Sequence, residues 1–168
     1  MMKNYTFIGN DEIFKNYKLG FFCSQKCPPD LILSIYDKAK EWREKGVCII
    51  SGFHTPVEKD VLHYLLKGEQ PVIICPARSL DDYRIDADIK KEVDNGRVLI
   101  ISKFQNKRIS KKCSHLRNIF IADLADELII GYSEPGGTVE KTYEYAGTLH
   151  KKVYSLGYLI SKTHNDDK

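Results

Sequence analysis

The chain of 168 residues has no apolar run near the roughly 20 residues that a membrane-spanning helix needs, which excludes a helical membrane anchor as its main feature. Residues 1–7 hold no continuous apolar segment, so no signal peptide is expected and the cytoplasm is the expected location. Cysteines are few and odd in number: Cys23, Cys27, Cys48, Cys75 and Cys113. The nearest pair, Cys23 and Cys27, lacks the Cys-x-x-Cys spacing of many zinc and redox sites, so reduced structural thiols are expected. The five histidines are widely spaced, and no metal site is expected. Cofactor fingerprints are missing too. Neither a Gly-x-Gly-x-x-Gly turn after the first strand nor a Walker loop is found, which argues against NAD binding and ATP hydrolysis. A Gly-x-Ser-x-Gly elbow is absent as well. No cofactor is expected.

What is present suits one globular domain. Hydrophobic residues make up 42% and charged residues 29%, ordinary values for a protein with a full core. Residues 1–16 mix aromatic and polar groups and read as an extension packed on a domain that spans 17–158. Residues 159–168 read as a polar tail. Apolar runs at 19–23, 47–50, 71–75, 97–101, 127–131 and 152–155 read as strands. Helical patterns lie between them, with Asp30 expected to cap the first and Pro56 to open the second. Strand and helix alternate, which predicts an α/β fold: a Rossmann-like three-layer α/β/α sandwich with a mostly parallel sheet.

Right-handed crossovers gather the carboxyl ends of parallel strands at one edge, where α/β proteins hold phosphates. The loops at 24–26, 51–55, 77–79, 103–117 and 133–138 should meet there. They offer the hydroxyls Ser24, Ser51 and Thr138, the cations Lys26, Arg78 and Arg117, and the amide of Asn118. Gly52, Gly136 and Gly137 allow main-chain N–H groups to approach an anion without a Cβ in the way. Arg117 and Asn118 are expected to open a helix. The net charge of +3 is too small to argue for nucleic acid, but its distribution is uneven. Lys103, Lys107, Arg108, Lys111, Lys112 and Arg117 follow one another with no acid between them. They are either a solvated loop or a track for a single-stranded backbone, with Phe104 as a base platform.

Three segments together carry a family resemblance. The strand that ends in Ser51-Gly52-Phe53, the stretch Arg117-Asn118-Ile119-Phe120-Ile121-Ala122, and the closing Lys151-Lys152-Val153-Tyr154 resemble the Rossmann-like core of the DprA/Smf DNA-processing family. The resemblance covers about residues 17–158. It implies single-stranded DNA binding, handover to a RecA-type recombinase, dimerisation, and a role in DNA uptake and recombination. By position, Ser51, Gly52, Arg117 and Asn118 would line the DNA or phosphate pocket. Where the family carries Gly-Ser/Ala-Arg after its first strand, this chain has Ser24-Gln25-Lys26.

A second resemblance points to chemistry. His115-Leu116-Arg117-Asn118 and Pro135-Gly136-Gly137-Thr138-Val139-Glu140 look like the motifs of the LOG-type phosphoribohydrolases, which cleave the base from a nucleoside monophosphate. That likeness would make Arg117 the phosphate holder and Glu140 the catalytic carboxylate. The glycine turn here is two residues shorter than the family's. The residues therefore point first to a binding protein for single-stranded DNA or a nucleotide, with the hydrolase or a non-catalytic nucleotide sensor as alternatives.

Overall fold

The computed structural model describes residues 4–156, so the tail at 159–168 and the boundary at 158 lie outside the described residues. The expected strands form a sheet: β2 (Lys18–Cys23), β3 (Cys48–Ser51), β4 (Val72–Ile74), β5 (Val98–Ser102), β6 (Glu127–Tyr132) and β7 (Val153–Ser155). All of these pair in parallel, in the order β5-β4-β3-β2-β6-β7. A further strand, β1 (Thr6–Gly9), pairs antiparallel with β5 and ends the sheet on that side. Part of the stretch read as an extension therefore belongs to the sheet, and a 3-10 helix, Asp11–Lys15, follows it.

Side chains alternate along each strand and feed two cores, one on each face. Phe21, Ile49, Val72, Ile74, Val98, Ile100 and Ile129 pack with α1 (Pro29–Lys45), α2 (Pro56–Leu66) and α3 (Ala87–Asp94). Phe22, Ile50, Ile73, Leu99, Ile101, Leu128 and Ile130 pack with α4 (Lys111–Leu124) and α5 (Thr138–Thr148). The three layers are those expected. Each fully buried Ile, Leu or Phe in these layers contributes about 2 kcal/mol of transfer free energy.

The helix starts differ from the sequence reading in two places. Pro28 occupies the N-cap of α1 and Asp30 sits in the first turn, because Pro29 takes the first helical position that suits its fixed φ. Helix α4 starts at Lys111, where Ser110 accepts the N–H of Cys113, so Arg117 and Asn118 lie in mid-helix rather than at its start. The opening of α2 is as expected, with Pro56 first and Thr55 and Glu58 completing a reciprocal capping box.

Gly20 explains how closely α4 approaches the sheet. A Cβ there would stand 2.7 Å from Leu128 Cδ2 and 3.0 Å from Ala125 Cβ. The helix that carries Arg117 is thereby seated directly on β2.

Candidate functional site

The chain reverses its direction of progress across the sheet between β2 and β6. At such a switch point the two flanking loops run apart and leave a crevice at the carboxyl edge. A cavity of about 290 Å³ lies there. Cys23 and Ser24 from the end of β2 form one wall, and Glu134, Gly137 and Thr138 after β6 form another. The third is one face of α4, which presents Lys111, Ser114, Arg117 and Asn118 at helical spacing.

Arg117 is the centre of this arrangement. It is 4% exposed, and its Nε donates to Asn118 Oδ1 at 2.9 Å. Its Nη1 donates to the Cys75 carbonyl at 3.4 Å. A guanidinium carries five N–H donors, so most of its capacity is unengaged by the described residues. Burial pulls the guanidinium pKa below its ordinary value, and the Glu58 carboxylate pulls in the opposite direction. A buried cation with donors unengaged by the described residues and a cavity in front of it has the chemistry to hold an anion.

Gly52 makes room for it. A Cβ on Gly52 would stand 2.3 Å from Arg117 Nη1 and 2.4 Å from Cζ, so the guanidinium lies flat against the β3 turn. The N-terminus of α5 adds to the positive end. Its N-cap, Gly137, has no side chain to accept a hydrogen bond, and Thr138 and Val139 in the first turn line the cavity. First-turn N–H groups have no intrahelical partner and favour an anion.

Glu58 holds the walls in place, and the sequence reading missed this residue. It is 5% exposed, and its carboxylate accepts three backbone N–H groups. Cys23 donates to Oε2 at 2.9 Å, while His54 and Thr55 donate to Oε1 at 3.0 and 3.2 Å. Thr55 Oγ1 donates to the Cys23 carbonyl at 2.9 Å, so the ends of β2 and β3 are tied twice. On the far wall Ser24 Oγ accepts the Glu134 N–H at 2.8 Å. The signal available in sequence was the Thr-x-x-Glu capping box at Thr55 and Glu58, which locates Glu58 but not its reach to β2. His54, also missed, lies beside Arg117. Burial and then the Arg117 charge hold its imidazole pKa below the usual histidine range.

A second cavity, of about 360 Å³, opens on the α2 and α3 side of Gly52. It shares His54 and Arg117 with the first. Arg78 lines this second cavity, where its Nε and Nη2 donate to the carbonyls of Ser79 and Asp81 at 3.1 and 3.0 Å.

The expected site residues thus divide. Ser24, Arg117, Asn118, Gly137 and Thr138 meet in the switch-point cavity, and Gly52 and Arg78 stand at the second. Ser51 lines neither: it is fully buried, and its Oγ accepts the Phe53 N–H at 3.2 Å. Lys26 is exposed and lines neither cavity. Gly136 is exposed with φ +74°, and its N–H donates to Glu140 Oε1 at 3.3 Å. Glu140 caps its own helix in this way and lines neither cavity.

The basic segment is only partly a loop. Lys111 and Lys112 are exposed in the first turn of α4, and Lys111 reaches the switch-point cavity. Lys107 pairs with Asp82 at 2.7 Å on the open surface, and Arg108 is exposed. Lys103 is half-buried, with its ammonium 5.9 Å and 5.7 Å from the ring centres of Phe104 and Phe120. Phe104 is no base platform: it is 8% exposed and packs with Ala77 and Cys113. All five cysteines are free, and burial pushes the thiols of Cys48 and Cys75 up to about 12.

No protein-family model matches the chain, and no curated protein is similar to it in sequence. Solved structures are similar. DNA processing protein A from Helicobacter pylori, a structure described for its single-stranded DNA binding mode, superposes with a TM-score of 0.74 at 18% identity. The match covers 90% of this chain and 70% of that one. DNA processing protein A from Streptococcus pneumoniae gives a TM-score of 0.74 at 21% identity. There 90% of this chain matches 54% of the other, so this chain spans about half the length of that protein. A molybdenum cofactor binding protein from Rippkaea orientalis is similar at a TM-score of 0.61 and 12% identity, covering 84% and 76% of the two chains. The likeness establishes the fold. Proteins that share it hold different ligands, so the ligand here is argued from the residues of this chain.

Proposed function

We propose that the chain binds single-stranded DNA, holding a backbone phosphate in the switch-point cavity between Arg117 and the first turn of α5. The observation that carries this reading is the buried Arg117 guanidinium, which faces the cavity with most of its donors unengaged. Asn118 fixes its Nε, Gly52 gives it room, and the first-turn N–H groups of Thr138 and Val139 stand at the cavity for the remaining phosphate oxygens. Lys111, Lys112 and Arg108 continue the positive surface along the start of α4, where neighbouring phosphates of a strand would lie. Support comes also from the shared fold with the Helicobacter pylori protein, whose single-stranded DNA binding mode has been described.

The reading extends to what the resemblance implies: a role in DNA uptake and recombination in the cytoplasm, a RecA-type recombinase as partner, and a homodimer. Binding rather than catalysis is proposed because Glu140, the carboxylate to which the hydrolase resemblance gives a catalytic role, engages its own helix start outside both cavities.

The test is fluorescence anisotropy of a labelled single-stranded oligonucleotide, titrated at about 50 and about 200 mM salt. Affinity should fall steeply between the two, with a slope near −0.7 for each phosphate neutralised. Absence of binding at the lower salt, with saturable binding of a nucleoside monophosphate instead, would replace DNA by a mononucleotide in the same cavity.

A further inference from the structure

Cys23 and Cys27 bracket a short loop that belongs to the switch-point cavity. Cys23 ends β2 and is sealed from solvent, while Cys27 is half-buried just before the N-cap of α1. Both side chains join the core beneath α1, where the two thiols meet in a hydrogen bond. Of the residues between them, Ser24 and Gln25 line the cavity. The first half of the loop is fixed. The Cys23 N–H donates to Glu58 and its carbonyl accepts from Thr55. The Ser24 N–H donates to the Tyr132 carbonyl at 2.8 Å, and its Oγ accepts the Glu134 N–H. Gln25, Lys26 and Cys27 make no backbone hydrogen bond among the described residues.

We propose that Cys23 and Cys27 are a redox-responsive pair, joined by hydrogen peroxide into a disulfide that narrows the phosphate cavity. The order of events follows exposure. Cys27, the reachable thiol, attacks the O–O bond as its thiolate, becomes a sulfenic acid, and releases hydroxide that takes up a proton to form water. The Cys23 sulfur then attacks the sulfenic sulfur. The S–S bond forms, and the sulfenic oxygen leaves with the Cys23 proton as a second water. Two thiols and one peroxide thus give one disulfide and two waters, and the peroxide takes the two electrons. Burial raises the Cys27 thiol pKa, and the hydrogen bond with Cys23 brings it down again in part, so the reaction should quicken as pH rises.

A covalent S–S bond is shorter than the hydrogen-bonded contact it replaces. Because Cys23 and Ser24 are held, Cys27 moves toward them, and a loop of fixed length between closer ends arches outward. Gln25, on the cavity wall, is carried into the mouth. This effect on DNA rests on the phosphate-binding reading of Arg117, whereas formation of the bond does not.

Trypsin reads the bond directly. It cuts after Lys18, Lys26 and Lys38, which leaves Cys23 in peptide 19–26 and Cys27 in peptide 27–38. After exposure of the full chain to hydrogen peroxide, the two peptides should appear in mass spectrometry as one species until a dithiol reductant parts them. They should stay separate in Cys27→Ser and Cys27→Ala. Cys113 is the internal control. Hydrogen bonds from Ser110 and Asn106 hold its thiol pKa below the usual range, and its oxidation adds oxygen without linking these peptides. Oxidised protein should bind the labelled oligonucleotide about fivefold more weakly and recover on reduction, while Cys27→Ser should bind alike with and without peroxide. Separate peptides at a peroxide dose that oxidises Cys113 would overturn the pair. Linked peptides with unchanged DNA affinity would overturn its control of the cavity. Failure of the reduced protein to bind any oligonucleotide would overturn the phosphate reading and the control of the cavity with it, and the peptides would still decide the pair.

Discussion

Two arginines at opposite edges of one sheet differ in how far the fold itself meets their hydrogen-bonding capacity. Arg97 precedes β5 at the amino edge, and every part of its guanidinium is engaged. Nε donates to Glu92 at 2.8 Å, Nη1 to the carbonyls of Gln70 at 2.8 Å and Leu65 at 3.2 Å, and Nη2 to Leu66 at 2.7 Å. Those carbonyls include the last of α2, which no residue of that helix can satisfy. Arg97 thus closes a helix end and joins it to the turn before β4. Arg117, at the carboxyl edge, is the more deeply buried of the two and makes two hydrogen bonds among the described residues. A buried cation is tolerated when its donors are met by the fold. When they are not, the unmet donors mark where a ligand belongs.

Substitution should separate the two roles. The largest effect is expected at Arg97: Arg97→Ala should lower the unfolding free energy by about 3 kcal/mol in urea denaturation, since it orphans carbonyls and the Glu92 carboxylate together. DNA affinity measured well below the melting temperature should stay within about twofold. A loss of stability under about 1 kcal/mol would show that the Arg97 network is not structural in this sense.

Arg117→Ala should do the reverse. DNA affinity should fall about thirtyfold, the value of a charge-assisted hydrogen bond to phosphate, with stability changed by less than about 1 kcal/mol. Glu58 is not stranded by that change, because its carboxylate keeps three N–H partners. Equal DNA affinity in the variant and the parent would remove Arg117 from the site. Gly52→Ala sharpens the contrast without altering charge. The new Cβ forces the guanidinium off the turn, and an affinity loss of about fivefold is expected while the chain still folds.

The smallest effect is on pH. His54 has its pKa held below the usual histidine range by burial and by Arg117 and Lys59, against the pull of Glu58. A phosphate in the cavity offsets those cations and favours the imidazolium, so DNA should bind about two- to threefold more tightly at pH 5.5 than at 7.5. His54→Gln should flatten the profile. Stability should move the other way. The unfolded chain takes up a proton as pH falls through about 6.5, the folded chain does so only lower, and folding loses free energy between those two values. A flat affinity profile in the parent protein would place His54 outside the phosphate's reach.

The same contrast explains what could be read in the sequence. Five of the six parallel strands were legible because each is an apolar run buried for most of its length and bounded by Pro, Gly or polar turns, while β7, a half-exposed edge strand, was marked by its Val-Tyr pair alone. Strand β1 was not: Thr6-Phe7-Ile8-Gly9 is short, largely exposed and paired on one side only, so it carries little hydrophobic signal. The start of α4 was hidden because Lys111 and Lys112 continue the charge of the preceding loop, and only the cap at Ser110 marks the boundary. That Arg117 and the α5 turn are neighbours was legible because parallel topology alone brings strand ends together. Phe104 was misplaced because a single aromatic among cations carries no periodicity that would report its burial. The grip of Glu58 on Cys23 spans thirty-five residues of sequence, and no local pattern encodes it.

That grip has a kinetic consequence. Because one carboxylate pins the ends of two strands, the cavity walls are set before a ligand arrives, and little loop entropy remains to be lost on contact. Encounter with an oligonucleotide should then be a single phase whose rate rises in proportion to protein concentration, without a slower concentration-independent step. Breaking the pin with Glu58→Ala would introduce such a step, because the walls would have to assemble around the strand.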